Sequence, residues 1–93
     1  MQEPYPINEN VMIRTVTMIL TGRLIEATCQ ELVLEDAAWV ADTGRYTDAL
    51  RTGQFREVEP YPDECNPVIV GRGAVIDACR WPHALPRNQI PAQ

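Results

Sequence analysis

Hydrophobic and polar positions fall in short blocks along this chain, and no proline interrupts them between residues 7 and 59. Val11 to Leu20 is rich in apolar and β-branched residues, has no helical period and ends at Thr21-Gly22, which predicts a strand. Leu24 to Cys29 predicts a second strand, and the polar stretch Thr28-Cys29-Gln30-Glu31 a tight turn. Leu32-Val33-Leu34 then begins a third strand, which Glu35-Asp36 and Ala37 to Ala41 prolong through a bulge. Asp42-Thr43-Gly44 breaks the pattern. Residues 45–53 predict a short helix with Tyr46, Ala49 and Leu50 on one face and Gly53 as its stop. Phe55 to Glu59 is a poorly apolar fourth strand suited to a sheet edge, and Val68–Val70 with Ala74–Cys79 brings the set to five or six short strands. Short strands this closely spaced leave no room for the long crossovers of an α/β domain. The expected class is therefore mainly β, a small and strongly bent barrel with one short helix.

The prolines, at positions 4, 6, 60, 62, 67, 82, 86 and 91, mark the limits of that body. Proline cannot donate to a strand ladder, so the expected organisation is an extended N-terminal arm over 1–10 and a barrel over 11–81 with an irregular loop at 60–67. A proline-rich tail follows over 82–93. Ninety-three residues suit one domain, and a chain this short buries a modest share of its surface, which favours gaining stability by association. With 45% hydrophobic but only 6% aromatic residues, the core must be mainly aliphatic.

Charge narrows the functional classes. All 8 basic residues are arginine, 13 acids bring the net charge to −5, and the arginines are scattered among the carboxylates. Duplex DNA binding normally needs a basic stripe, so that class is disfavoured. A symmetric ring would still gather one arginine per subunit around its axis. Cys29, Cys65 and Cys79 make an odd count without a C-x-x-C pair, and neither a signal peptide nor a membrane-length apolar run is visible. Plain thiols in a reduced, cytoplasmic setting are expected, with free cysteine behaving as a small buried hydrophobe.

Candidate chemistry centres on "IVGRGAVIDA", Ile69 to Ala78, where Gly71 and Gly73 flank Arg72 in what otherwise reads as strand. Two glycines permit a sharp bend that sets one planar cation at a strand junction. Arg72 is thus either a ligand-contacting group or a turn arginine paired with Asp77 or another acid. His83, the single histidine, gives no metal set or catalytic triad and is expected in an exposed loop. Glu35-Asp36 would point to opposite faces of a strand, and Asp63-Glu64 would be solvated in a loop. "GRG" lacks the lysine and helix start of a phosphate loop. With no nucleophile–base pair either, an enzyme is not expected, and no cofactor is called for. Trp39 is expected as a core or subunit-contact anchor rather than a base-stacking platform, and Trp81, leaving the barrel before Pro82, as a contact that packs the C-terminal arm on a neighbouring subunit.

Two segments resemble the Sm-like (Sm, LSm, Hfq) superfamily. "TGRLIEATCQELVLEDA", Thr21 to Ala37, is similar to its first motif, with a glycine opening strand two, an apolar residue two further on, a tight loop, and an apolar triplet followed by Glu-Asp. "IVGRGAVIDA" is similar to the second, an apolar strand, Arg-Gly, two residues and then Ile. The resemblance implies an SH3-like (Sm-like) barrel that pairs edge strands with its neighbours into a homo-oligomeric ring of roughly five to eight copies. It also implies that Arg72 lines the pore and holds a base, with Gly73 allowing close approach. The family's base-reading asparagine falls at Glu31, which cannot donate to a base acceptor and repels phosphate; Thr28 lies in the same loop, which is one residue short. Glu31 and Thr28 are each either ligand-facing or solvated turn residues. Longer stretches, "IRTVTMILTGRLIEATCQELVLEDAAWVADTG" and "WPHALPR", look like a group of small phage and prophage proteins. The expected function is a phage-related ring binding single-stranded RNA or nucleotides in the host cytoplasm. Two further classes stand beside it: a non-enzymatic viral interaction or scaffold protein, and a ring that sequesters a small nucleotide messenger.

Overall fold

A computed structural model describes residues 4–91. The element order is β1 (Asn10–Thr15), β2 (Ile19–Ala27), β3 (Glu31–Asp42), α1 (Tyr46–Thr52), β4 (Glu57–Pro60), β5 (Val68–Gly71) and β6 (Val75–Arg80). Single 3-10 turns occupy Asp63–Cys65 and Arg72–Ala74. All pairings are antiparallel. The six strands form one sheet in the order β4-β3-β2-β1-β6, with β5 also on β3. The N-terminal half of β3 (31–34) pairs with β5, and its C-terminal half (38–42) with β4. The mainly β, strongly bent, barrel-like class read from the residue pattern is thus the observed one.

The bend in β3 has a local cause. Asp36 adopts φ 55°, and the register with β2 jumps from Thr21↔Ala38 to Arg23↔Glu35. Gly22 lies inside that jump. A Cβ there would stand 3.1 Å from the Leu34 Cβ and 3.4 Å from the Ala37 backbone, so any larger residue would push the two strands apart by a few tenths of an ångström. The bulge also changes where the acids go. Instead of facing opposite sides of a strand, Glu35 and Asp36 both reach Arg23, at 2.6 and 3.1 Å, and Asp36 also takes Arg87 at 2.6 Å.

The hairpin β1–β2 corrects the single strand expected over Val11–Leu20. The chain reverses at Thr15-Val16-Thr17-Met18 without glycine, because the Thr15 hydroxyl accepts from the amides of Thr17 and Met18 at 3.4 and 3.0 Å while the Thr15 amide donates to the Met18 carbonyl at 2.7 Å. The β2–β3 turn repeats the device. The Thr28 hydroxyl accepts from Gln30 and Glu31, at 3.2 and 2.9 Å, and the Thr28 amide donates to the Glu31 carbonyl at 2.8 Å.

Burial falls on both faces of the sheet. Val11, Ile13, Leu20, Leu24, Leu32, Leu34, Ala37 and Val70 fill the concave side. Met12, Ala38, Val40 and Val58 face the other side, where α1 contributes Ala49 and the chain after β6 contributes Trp81, with Leu85 and Ile90 packed around it. The C-terminal segment expected as an arm standing off the barrel is therefore part of this second core. Ile90 forms a two-way bridge to Val58 on β4, with N···O distances of 3.0 and 2.8 Å. Helix α1 ends as its sequence predicts, with Gly53 at φ 77° donating to the Ala49 carbonyl. His83, expected to be exposed, instead packs on Gly53 and sits edge-on to Trp81, with Nε2 2.8 Å from the Leu50 carbonyl oxygen.

Candidate functional site

Strands β5 and β6 are joined by the 3-10 turn at Arg72–Ala74, and this turn lies against the β2–β3 turn because Glu31 pairs with Gly71 across the β3–β5 ladder. The Arg72 amide donates to the Gln30 carbonyl at 2.8 Å, and its guanidinium Nη1 donates to the Thr28 carbonyl at 2.6 Å. Arg72, Gly73, Thr28 and Glu31, from two stretches some forty residues apart in the sequence, are thus brought together where the two turns meet. Arg72 is half-buried, and Glu31 and Gly73 are exposed.

The geometry of the turn differs from the bend expected of two glycines. Gly71 has φ −63°, neither Gly71 nor Gly73 lies in the left-handed region, and a Cβ at either would meet nothing within 4 Å. The chain itself does not require glycine at these positions; the 3-10 turn would accept alanine. What glycine leaves here is open space around Arg72.

Asp77, one of the acids considered as a partner for Arg72, is engaged by a different arginine. Asp77 on β6 accepts two hydrogen bonds from Arg14 on β1, one from Nε at 2.8 Å. That hydrogen bond holds the Asp77 carboxyl below its ordinary range and raises Arg14 above its own. Arg14 also lies over the Tyr46 ring, 5.5 Å from its centroid, and burial pushes the Tyr46 hydroxyl up. Partial desolvation by its neighbours and the nearby Asp77 charge push the Cys79 thiol up, although the residue reaches solvent, and away from the thiolate form a nucleophile needs. All three cysteines are free and exposed rather than buried, and among the described residues no three His, Cys, Asp or Glu side chains gather as a metal-binding group.

The aromatic candidates divide. Trp81 is 2% exposed, stacked on Phe55 at 5.1 Å inside its own chain's second core, so its side chain is not available to pack on a neighbouring subunit. Its mean burial follows from the tail wrapping back over the sheet. Trp39 is 38% exposed on β3 and, with Met18, Ile19 and Ile76, lines a concavity flanked by Arg14. It is a surface residue and not part of the core.

One residue at the site escaped the sequence reading. Tyr5, assigned to an extended arm, packs against the concave core and places its ring centroid 4.8 Å from the Arg72 Cζ. The available signal was "PYP", an aromatic held between two prolines whose fixed φ stiffens the segment.

No helix among the described residues is long and apolar enough to cross a membrane. Compared with protein-family models, curated proteins and solved structures, the chain matches none of them.

Proposed function

We propose that this chain is the subunit of an Sm-like homo-oligomeric ring, phage-related in origin, that binds single-stranded RNA or a nucleotide through Arg72. The observation that carries the reading is the anchoring of the Arg72 guanidinium by the Thr28 carbonyl, which fixes a planar cation at the meeting point of two turns. A guanidinium held in place at this junction is a planar cation of the kind that stacks on bases and pairs with phosphates, and its fixed position lowers the ordering cost of binding. One such cation per subunit becomes a cluster when subunits share an axis. The open edges of β5 and β6 support the assembly. Among the described residues each has a strand on one side only, β3 and β1 respectively, and both carry exposed isoleucines, Ile69 and Ile76. Glu31 tempers affinity for phosphate and makes the site selective for what can stack on Arg72.

The test is binding of a short fluorescent oligoribonucleotide in low salt, with wild type compared with Arg72→Ala and Arg72→Lys. The expected result is a loss of about tenfold or more in both variants, because lysine restores charge but not the planar face. Equal binding by all three proteins would remove Arg72 as the site. A small molecule carried through purification and released on denaturation would select the sequestering ring.

A second reading, an interaction protein of a virus, is favoured by one separate observation. Trp39 and Ile76, 38% and 61% exposed, line one concavity with Met18 and Ile19, an aromatic and aliphatic surface on an acidic chain. Absence of oligoribonucleotide binding even at low salt, combined with a specific basic protein partner that Trp39→Ala loses, would select it.

A further inference from the structure

We infer that the N-terminal arm competes with the ligand for Arg72, with Tyr5 standing where an aromatic base would stack; this rests on the reading of Arg72 as the binding residue. The Tyr5 ring lies 4.8 Å from the guanidinium carbon, the distance of a cation–π contact. The arm is positioned to hold it there. Pro4 and Pro6 restrict the backbone on either side, the Glu9 amide donates to the Pro6 carbonyl at 3.3 Å, and the Asn8 amide donates to the Leu24 carbonyl at 2.6 Å. Beyond Tyr5 the chain is secured to β2, since the Leu24 amide donates to the Glu9 carbonyl at 3.0 Å. The backbone on the C-terminal side of Tyr5 is thus fixed to β2, which sets where the ring can reach Arg72.

The stacking partner that Tyr5 provides and the one a base would provide are chemically alike, each a flat π-face over the same cation. An incoming base thus exchanges one stack for another, and the internal stack subtracts from its affinity. Inorganic phosphate approaches a guanidinium through its N–H edge and does not need the face, so it does not compete with the ring. The contact also keeps Arg72 extended toward the Thr28 turn in the absence of ligand, and so trades affinity for a formed site.

The variants Tyr5→Leu and Tyr5→Trp test this in opposite directions. Leucine keeps an apolar contact with the concave core but removes the π-face; tryptophan strengthens it. Each protein is first checked by circular dichroism and thermal unfolding, and binding of the fluorescent oligoribonucleotide and of inorganic phosphate is then measured. Tyr5→Leu is expected to bind the oligoribonucleotide roughly two- to thirtyfold more tightly and Tyr5→Trp more weakly, with phosphate affinity the same in both. Should Tyr5→Leu fail to fold, weaker oligoribonucleotide binding by Tyr5→Trp still supports the competition, and unchanged or tighter binding overturns it. Weaker binding by a folded Tyr5→Leu would make Tyr5 part of the ligand platform, and unchanged binding would make it a bystander; both overturn the inference. If Arg72→Ala binds like wild type, the Arg72 reading has failed, and that outcome is read independently of Tyr5.

Discussion

Thr21 lies wholly buried on β2, opposite Met12 and Ala38, and its hydroxyl has no hydrogen-bond partner among the described residues. A hydroxyl taken out of water without compensation costs stability, and valine has nearly the same shape with a stronger preference for strands. Thr21→Val should therefore stabilise the fold by about 1 kcal/mol, seen as a rise of roughly 4–8 °C in the midpoint of thermal unfolding at fixed protein concentration. A fall in the midpoint would mean that the hydroxyl is satisfied by a group outside the described residues. At this scale the sequence was informative about identity and poor about partners. Arg72 was recognisable from the residues around it, yet Asp77, the acid named as a partner for it, belongs to Arg14, and among the described contacts of its guanidinium are Thr28 and Tyr5, 44 and 67 positions away in the chain. Such pairings follow from sheet register, which no local pattern records.

Among the elements, the turns decide the architecture, and they do so with different chemistry from that read off the glycines. Thr15 and Thr28 each close a hairpin by accepting amide hydrogen bonds on the side chain, which is why Val11–Leu20 resembled an unbroken strand. Threonine is common within strands, so its use as a turn residue leaves no compositional mark. The glycines separate into two kinds. Gly53 is needed, since φ is 77° and a Cβ would stand 2.6 Å from the His83 Cγ. Gly71 is not, with φ −63° and open space around it. Gly53→Ala should destabilise by more than about 1 kcal/mol in urea unfolding, whereas Gly71→Ala should be neutral or stabilising by up to about 1 kcal/mol. A large loss from Gly71→Ala would place that backbone in a contact beyond its own chain. Helix α1 and the bulge in β3 were legible because a stop glycine and a block of acids inside an apolar run have local causes. The burial of Trp81 and His83 was not, because a proline-rich tail gives no signal of the surface it will cover.

For the whole molecule, the tail resolves a problem that a small β-barrel otherwise faces. A sheet this short buries one face on itself and would leave Met12, Val40 and Val58 in water; α1 and the segment through Ile90 cover them. The radius of gyration, 12.5 Å, is that of a folded domain of about a hundred residues, as a chain with its ends laid along the body requires. Ile90 also covers the outer edge of β4 through its bridge to Val58. Protection stops there among the described residues, since β5 and β6 remain paired on one side only, on either side of the Arg72 turn. An edge on each side of the same turn suits head-to-tail strand pairing, β5 of one copy to β6 of the next, which closes into a ring when the rotation per subunit divides a full circle. In that arrangement Arg72 recurs in every subunit at the same distance from the axis.

Native mass spectrometry of the freshly purified protein tests this assembly most directly. The account predicts a closed complex of five or more copies of the 10.5 kDa chain, weakened by charge placed at Ile69 or Ile76 on the open edges. A monomer or simple dimer at micromolar concentration would contradict it, leaving no cluster of Arg72 side chains around an axis.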